Sequence, residues 1–181
     1  MKIIPTAIAD VLVFEPAVFG DDRGYFMETF RASTFQENDR LFTFVQDNQS
    51  QSKKGTLRGL HYQLQHPQGK MVRVVSGRVF DVAVDLRRSS PTFGGWVGES
   101  LSAENKKQLW VPPGFAHGFL VLSDTAELLY KCTDYYNPDD EHCLLWSDPQ
   151  LNIAWPLLDV EPTISEKDQA AKILIKAMVY P

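Results

Sequence analysis

Short apolar segments separated by turn-forming residues run through most of this chain, and this alternation restricts it to a β architecture. Runs rich in Val, Ile, Leu and Phe are followed by Gly, Pro, Asn or Asp along most of the 181 residues. This pattern is typical of β-sandwiches and barrels, and helical patterns are scarce. The sequence therefore predicts a mainly β fold, a double-sheet β-barrel of the jelly-roll kind with a few short helices.

The predicted strands can be placed along the chain. They cover residues 12–15, 25–30, 42–48, 57–63, 72–75, 79–86, 96–101, 108–111, 117–122 and 127–133. Ser76-Gly77 is predicted to be a hairpin turn, since Gly tolerates a positive φ. The alternation over residues 82–85 predicts a half-buried strand.

Helices are predicted at two places. One covers residues 31–39, and the other begins near the C-terminus, where Ser165 precedes acidic residues as a helix N-cap does. The segment 137–162 is rich in Pro and Asp but carries Leu, Ile and Trp, which predicts an ordered wrap over the barrel. We expect one domain over residues 1–181, with the wrap and short helix at about 137–181.

Charge and composition limit the function. The net charge is -5 and the pI about 5.3, whereas a general nucleic-acid or membrane-surface binder carries a basic stripe. The chain lacks an apolar run long enough for a membrane span, and its N-terminus lacks the apolar core of a signal peptide. Cys132 and Cys143 have no metal-type spacing, and a reduced, cytoplasmic location is expected.

An isolated histidine carries the main chemical signal. Residues 55–63 read GTLRGLHYQ, and residues 112–117 read PPGFAH. These resemble the two motifs of cupin barrels, in which the first motif of metal-binding members continues with a second His and a Glu. Gln63 and Lys70 occupy those two positions here. Because an ammonium group repels a divalent cation, the pattern predicts a site without a metal, in which His61 and Lys70 do the chemistry.

Five segments together resemble the dTDP-4-dehydrorhamnose 3,5-epimerase family of cupin-like enzymes. They are 19–28 (FGDDRGYFME), 44–48 (FVQDN), 57–63 (LRGLHYQ), 111–119 (VPPGFAHGF) and 165–168 (SEKD). The resemblance extends from about residue 3 to about residue 170. It implies a small β-barrel, usually in a homodimer, a dTDP-4-keto-6-deoxyhexose substrate, and no metal or redox cofactor.

Inversion of a carbon next to a ketone requires a base, and His61 is the candidate. Its neutral imidazole has a pKa near the working pH. Strand parity places it on one face with Leu57, Gly59 and Gln63. The resemblance assigns Asp168 to the second ring nitrogen, where a carboxylate fixes the tautomer. A structural histidine in the core is the alternative.

The acid that returns a proton to the other face is predicted to be Tyr130. Parity places Leu128, Tyr130 and Cys132 on one face of their strand, expected to be the barrel interior. A core tyrosine bound to a carbonyl is the alternative. Tyr135 and Tyr136 are competing candidates, and the sequence does not assign a tyrosine to each carbon.

The remaining candidates concern binding. Lys70 is predicted to stabilise the enolate oxygen. The resemblance assigns substrate contacts to Arg23, Phe26, Glu28, Gln46, Asp47, Asn48, Arg58, His117, Glu141 and Lys167. Arg58 and His61 are three residues apart and should therefore face opposite ways. A β-bulge, or a substrate site shared across a dimer interface, would remove this conflict.

Three functions are compatible with these residues. The first is metal-free epimerisation at C3 and C5 of the ketosugar, and inversion at one carbon alone is its close alternative. A metal-dependent cupin is disfavoured by Gln63 and Lys70. A non-catalytic sugar-nucleotide-binding barrel would leave His61, Asp168 and Tyr130 unexplained.

Overall fold

Two antiparallel sheets form the barrel in the computed structural model, which describes residues 1–36 and 42–181. The first sheet contains six strands and the second contains five, and two further strands form a separate hairpin. The mainly β, cupin-like double-sheet prediction is therefore confirmed.

The strands are β1 Lys2–Pro5, β2 Leu12–Glu15, β3 Val18–Asp21, β4 Gly24–Met27, β5 Gln46–Lys53, β6 Leu57–Gln63, β7 Lys70–Ser76, β8 Arg78–Asp85, β9 Trp96–Ser102, β10 Gln108–Val111, β11 Phe115–Val121, β12 Thr125–Cys132 and β13 Glu141–Cys143. The first sheet has the strand order β1-β2-β10-β7-β12-β5, the second has the order β13-β6-β11-β8-β9, and β3 and β4 form a separate hairpin. Each predicted segment overlaps an observed strand, but β5 lies further along the chain than the predicted 42–48, and β1, β3 and β13 were not predicted. The helices are α1 Ala32–Gln36 and α2 Glu166–Gln169, with 3₁₀ turns at Pro138–Asp140 and Leu174–Lys176. Part of the helix predicted over 31–39 lies outside the described residues. No helix among the described residues has the length and apolar character of a membrane span.

The core lies between the two sheets. Apolar side chains from both sheets meet there, such as Val72 and Leu128 from the first and Val79 and Phe119 from the second. Tyr130 packs against this cluster at its edge. Outside the bulges, strand residues alternate between the inner and outer faces, so inward positions beyond the edge of this cluster place polar side chains in the barrel interior.

The C-terminal segment covers the outer face of the second sheet. Leu144, Leu151 and Leu174 pack against Val82 and Val84 there. Residues 82–85 of β8, predicted to be half-buried, are therefore buried on both faces. The C-terminal layer over the outer face is a tertiary contact that the alternation within the strand does not reveal. The N-cap prediction is confirmed, since the Ser165 hydroxyl accepts a hydrogen bond from the Asp168 N–H.

The predicted hairpin at Ser76-Gly77 is wrong. Strand β7 pairs with β10 and β12, whereas β8 pairs with β9 and β11. Gly77, with a φ of +73°, lies where the chain crosses from one sheet to the other. A tight-turn signal fixes the local backbone but not the sheet that the next strand joins.

A β-bulge in β6 reorients the strand that carries His61. His117 pairs with His61 and Phe119 pairs with Arg58, so two steps along β11 match three steps along β6. The bulge therefore turns Arg58 and His61 to the same face, which removes the parity conflict in one of the two ways expected. Because of the bulge, His61 and Leu57 lie on opposite faces of β6, whereas regular alternation predicted one shared face.

Two glycines allow the bulge to form. A Cβ atom on Gly59 would lie 2.6 Å from the His117 carbonyl oxygen, and one on Gly118 would lie 2.6 Å from the Arg58 carbonyl oxygen. Gly59 also has a φ of +112°. The backbones of β6 and β11 approach each other more closely here than any residue with a Cβ would permit.

Substitution of Gly59 by Ala should destabilise the protein more than substitution at a glycine that has room. Gly94 is a matched control, since its φ is +75° and an added Cβ would meet only a Leu174 methyl group at 3.3 Å. We expect Gly59→Ala to lower the free energy of unfolding by about 2–4 kcal/mol, from overpacking and strain. Gly94→Ala should lower it by about 1–2 kcal/mol. Chemical denaturation measures both, and equal losses would contradict the close approach.

Candidate active site

A cavity of about 230 Å³ opens between the sheets at the polar end of the core. Sheet one contributes side chains from β5, β7 and β12, and sheet two contributes side chains from β6 and β13. The lining residues are Gln46, Asn48, His61, Tyr62, Gln63, Gln68, Lys70, Tyr130, Tyr136 and Glu141. Six residues predicted from the sequence therefore meet in one cavity: Gln46, Asn48, His61, Lys70, Tyr130 and Glu141.

His61 forms a dyad with Asp168. Its Nε2 atom lies 2.7 Å from Oδ1 of Asp168, which is 3% exposed. The Gly59 N–H donates to the other carboxylate oxygen at 3.3 Å. Burial alone raises the pKa of Asp168, but the hydrogen bonds from His61, Gly59 and Ser165 hold that pKa below its usual value. An ionised Asp168 accepts a hydrogen bond from the Nε2–H group of His61, which leaves Nδ1 with a lone pair.

Nδ1 of His61 is the nitrogen on the side of the cavity. It lies 3.8 Å from Oε1 of Glu141, a residue of the cavity wall, whereas Asp168 lies outside that wall. Glu141 is held by Lys167 and by the Tyr136 hydroxyl, which donates to Oε2 at 2.7 Å. Burial raises the pKa of Glu141, and the Lys167 and Tyr136 hydrogen bonds lower it to a net value below normal.

Lys70 enters the same cavity from the first sheet. Lys70 shares a face of β7 with Val72 and Val74, which pack in the core between the sheets, so its side chain points inward. The Nζ atom makes no hydrogen bond or ion pair with any residue that the structure describes. Burial lowers the pKa of Lys70, and the charges of Glu141 and Asp81 oppose that shift. An unpaired ammonium in a cavity is available to an oxygen of a bound molecule.

Tyr130 faces His61 from the opposite sheet. It alternates with the buried Leu128 and Cys132 on β12, as the parity argument predicted. Its hydroxyl makes no hydrogen bond with another described residue. Burial is the main cause that raises the pKa of Tyr130, so the phenol stays protonated at neutral pH.

His117 belongs to a second dyad that the sequence did not reveal. Its Nε2 atom lies 2.8 Å from Oδ1 of Asp81, and both residues are buried. The other Asp81 oxygen has no hydrogen-bond partner among the described residues. The sequence does contain one indication of this dyad, which is Asp81 within the apolar run of β8. A carboxylate at an inward position of a buried strand needs a hydrogen-bond partner.

Gln63 holds the loop beside the cavity. Its amide nitrogen donates to the His66 and Tyr135 carbonyls, and its oxygen accepts from the Asn137 N–H at 2.9 Å. This side chain, at the position of a metal ligand in the resembling motif, is committed to backbone groups. Lys70 brings a positive charge to the other such position, so these two residues do not fit a cupin metal site.

Two predicted residues border the cavity without lining it. Arg58 donates to the Ser52 hydroxyl at 3.0 Å, and its charge acts on Tyr130. Lys167 reaches the cavity through its ion pair with Glu141. Both are cations at the rim, where they favour an anionic group.

Four predicted residues lie elsewhere in this chain. Asp47 faces the outside of the first sheet and pairs with Lys131 at 3.0 Å. Arg23 and Phe26 lie on the exposed β3–β4 hairpin, and Glu28 pairs with Arg31. The structure does not bring these four side chains together with His61 within one chain.

The comparisons with known proteins agree with this geometry. A family model described as dTDP-4-dehydrorhamnose 3,5-epimerase matches residues 5–176. A dTDP-4-dehydrorhamnose 3,5-epimerase of Pseudomonas aeruginosa is 58% identical over 182 residues, covering 100% of both chains. A crystal structure of dTDP-6-deoxy-D-glucose-3,5-epimerase from Legionella pneumophila in complex with dTDP-4-keto-L-rhamnose has a TM-score of 0.94 and 55% identity, covering 97% of this chain and 93% of that one.

A more distant relative carries a narrower activity. ChmJ, a 3'-monoepimerase from Streptomyces bikiniensis crystallised with dTDP-quinovose, has a TM-score of 0.87 and 37% identity, covering 94% of this chain and 87% of that one. Fold and matches together define a cupin-like barrel of the sugar-nucleotide epimerase class. Because the family model spans most of the chain and relatives exceed half identity, the chain belongs to the dTDP-4-dehydrorhamnose 3,5-epimerase family.

Proposed function

We propose that this protein converts dTDP-4-dehydro-6-deoxy-D-glucose to dTDP-4-dehydro-L-rhamnose by inverting C3 and C5. The observation that carries the proposal is the His61–Asp168 dyad, which faces Tyr130 across a cavity that also holds Lys70. We further propose that residues 1–181 act as one domain in the cytoplasm. Both cysteines are free, as expected for a reducing compartment.

His61 is the base in this proposal. The ketone at C4 acidifies the protons on C3 and C5, and Nδ1 of His61 removes one of them. Asp168 keeps the proton of the resting imidazole on Nε2 and stabilises the imidazolium that forms. The enolate oxygen at C4 then carries the negative charge. The Lys70 ammonium, which has no anionic partner among the described residues, stabilises it.

Tyr130 is the acid that completes each inversion. His61 and Tyr130 come from opposite sheets, so a sugar ring between them exposes one face to each. The phenol donates its proton to the carbanion and recovers one from solvent, and the His61 imidazolium releases its proton to solvent before the next inversion. Tyr136 also lines the cavity, but its hydroxyl already donates to Glu141. For this reason we assign the acid role to Tyr130.

The nucleotide is bound by residues of two subunits in this proposal. Gln46 and Asn48 offer amide groups in the cavity, and Arg58 and Lys167 supply charge at its rim. The β3–β4 hairpin exposes Phe19 and Phe26 at 66% and 69%. An isolated two-stranded hairpin with exposed aromatic side chains is marginally stable alone. We propose a homodimer in which this hairpin completes the partner's site with Arg23 and Phe26, and Glu28 beside it.

Incubation of the dTDP-4-keto-6-deoxyglucose substrate in D2O tests the reaction. We expect deuterium at both C3 and C5 of the product, located by NMR, because each inversion exchanges one carbon-bound proton with solvent. Label at C3 alone would indicate a monoepimerase, as ChmJ is described. Absence of both label and inversion, with dTDP-sugar binding intact, would indicate a non-catalytic binding barrel.

Variants of the proposed base and acid should separate the two half-reactions. His61→Ala should lose exchange by at least about 10³-fold, since no other group takes the proton. Tyr130→Phe should still exchange deuterium from the His61 face while inversion falls by about 10²-fold or more. Tyr135→Phe is the matched control, because Tyr135 does not line the cavity. Unchanged turnover in His61→Ala, or equal loss of inversion in Tyr135→Phe, would refute the assignment.

Mixed dimers test the shared site. His61→Ala and Arg23→Ala proteins, each impaired alone, should regain activity when their subunits are exchanged. One pocket of each mixed dimer then combines an intact His61 with an intact Arg23 from its partner. Random assortment predicts recovery of about one quarter of the wild-type activity. Absence of recovery, with exchange of subunits verified by mass spectrometry, would show that the two residues act in separate sites or in one subunit.

A further inference from the structure

A thiol lies against the carboxylate that orients His61, and the proton-transfer mechanism does not use it. Cys143 pairs directly with His61 between β13 and β6, and its Sγ atom lies 3.6 Å from Oδ1 of Asp168. His61, Cys143 and Asp168 place one donor atom each within 4.8 Å of one another. Among residues 1–36 and 42–181, they are the one group of three His, Cys or acidic residues arranged in this way.

These donors match the preferences of a soft divalent cation. Zn²⁺ binds Cys sulfur at about 2.3 Å and His nitrogen or carboxylate oxygen at about 2.0–2.2 Å, which places tetrahedral ligands about 3.3–3.6 Å apart. The Sγ–Oδ1 distance of 3.6 Å already has this value. The Nε2–Oδ1 distance of 2.7 Å needs to open by about 0.6 Å to reach the lower end of this range.

A second cavity borders this group on the side of Cys143 and shares Tyr62 and Glu141 with the substrate cavity. It has a volume of about 200 Å³ and lies between β13, the end of α2 and the segment near Met178. Of the three donor residues, Cys143 lines this cavity, together with Glu141 and two lysines, Lys167 and Lys172, of which Lys167 pairs with Glu141. The cavity leaves room for a water molecule as the fourth ligand.

We propose that His61, Cys143 and Asp168 form an inhibitory binding site for a soft divalent cation such as Zn²⁺. The cation site itself does not depend on the proposed function, and only the identity of the inhibited reaction rests on it. Binding displaces the thiol proton to solvent and forms bonds from the cation to Sγ, to a carboxylate oxygen and to Nε2.

Occupation of Nε2 stops catalysis through the tautomer of the imidazole. In the resting protein Nε2 carries the proton and Nδ1 carries the lone pair. When the cation takes the Nε2 lone pair, the single proton of the neutral ring moves to Nδ1. Nδ1 then has no lone pair with which to accept a proton from the sugar. Because the cation binds behind the ring, it lowers kcat and leaves KM nearly unchanged.

Steady-state kinetics of the full-length protein, freed of metal by a chelator, test the inhibition. Micromolar ZnCl₂ should lower kcat at constant KM, whereas equal MgCl₂ should not, since Mg²⁺ prefers oxygen ligands. For Cys143→Ser, inhibition is measured relative to the variant's own activity without metal. The Zn²⁺ concentration that gives half inhibition should be at least about 10-fold higher than for the wild-type protein. Cys132→Ala is the matched control and should keep the wild-type sensitivity. Inhibition that raises KM alone, or equal sensitivity in Cys143→Ser, would overturn the proposal.

Co²⁺ binding provides a readout that does not depend on turnover. The protein should show a thiolate-to-cobalt charge-transfer band in the near ultraviolet, present in Cys132→Ala and lost in Cys143→Ser. An inactive protein that shows this band would refute the proposed epimerisation and retain the cation site. An active epimerase without the band would refute the cation site alone.

Discussion

The contact between the backbones of Gly59 and Gly118 is the constraint on which the site depends. It lets β6 and β11 approach closely enough for a bulge, and the bulge turns Arg58 to the same face as His61. The same Gly59 N–H donates to Asp168. One backbone irregularity therefore sets the direction of the proposed base and helps to hold the carboxylate behind it. A regular strand would have placed the guanidinium on the opposite face.

The His61–Asp168 hydrogen bond depends on the C-terminal wrap that covers the second sheet. The two residues are 107 positions apart, and α2 must lie beside β6 for them to meet. Leu144 and Leu174 bury apolar surface against that sheet on either side of α2 in the chain. Apolar burial supplies the free energy that fixes the segment, and the polar dyad specifies how it lies. The layer that gives β8 its second buried face is thus also the layer that positions Asp168.

Local patterns predicted what depends on local physics. Apolar alternation located β2, β6 and β10 at their observed bounds, and the Ser165 cap located α2. The partner of the strand after Gly77 and the second buried face of β8 depend on tertiary contacts, which periodicity over a few residues does not contain. In the site, motif spacing found His61 and Lys70, but the Asp81 partner of His117 and the outward face of Asp47 required the sheet register.

The charges around the cavity explain why this barrel suits an imidazole base. Lys70 is half-buried and has no counter-ion among the described residues, so its charge is most useful when an anion forms nearby. In the proposed reaction an enolate is such an anion, and it forms only after His61 has taken a proton. In that state Asp168 balances the His61 imidazolium and Lys167 balances Glu141, while Lys70 balances the enolate. The arrangement therefore favours the intermediate over the neutral ketone, as differential binding requires.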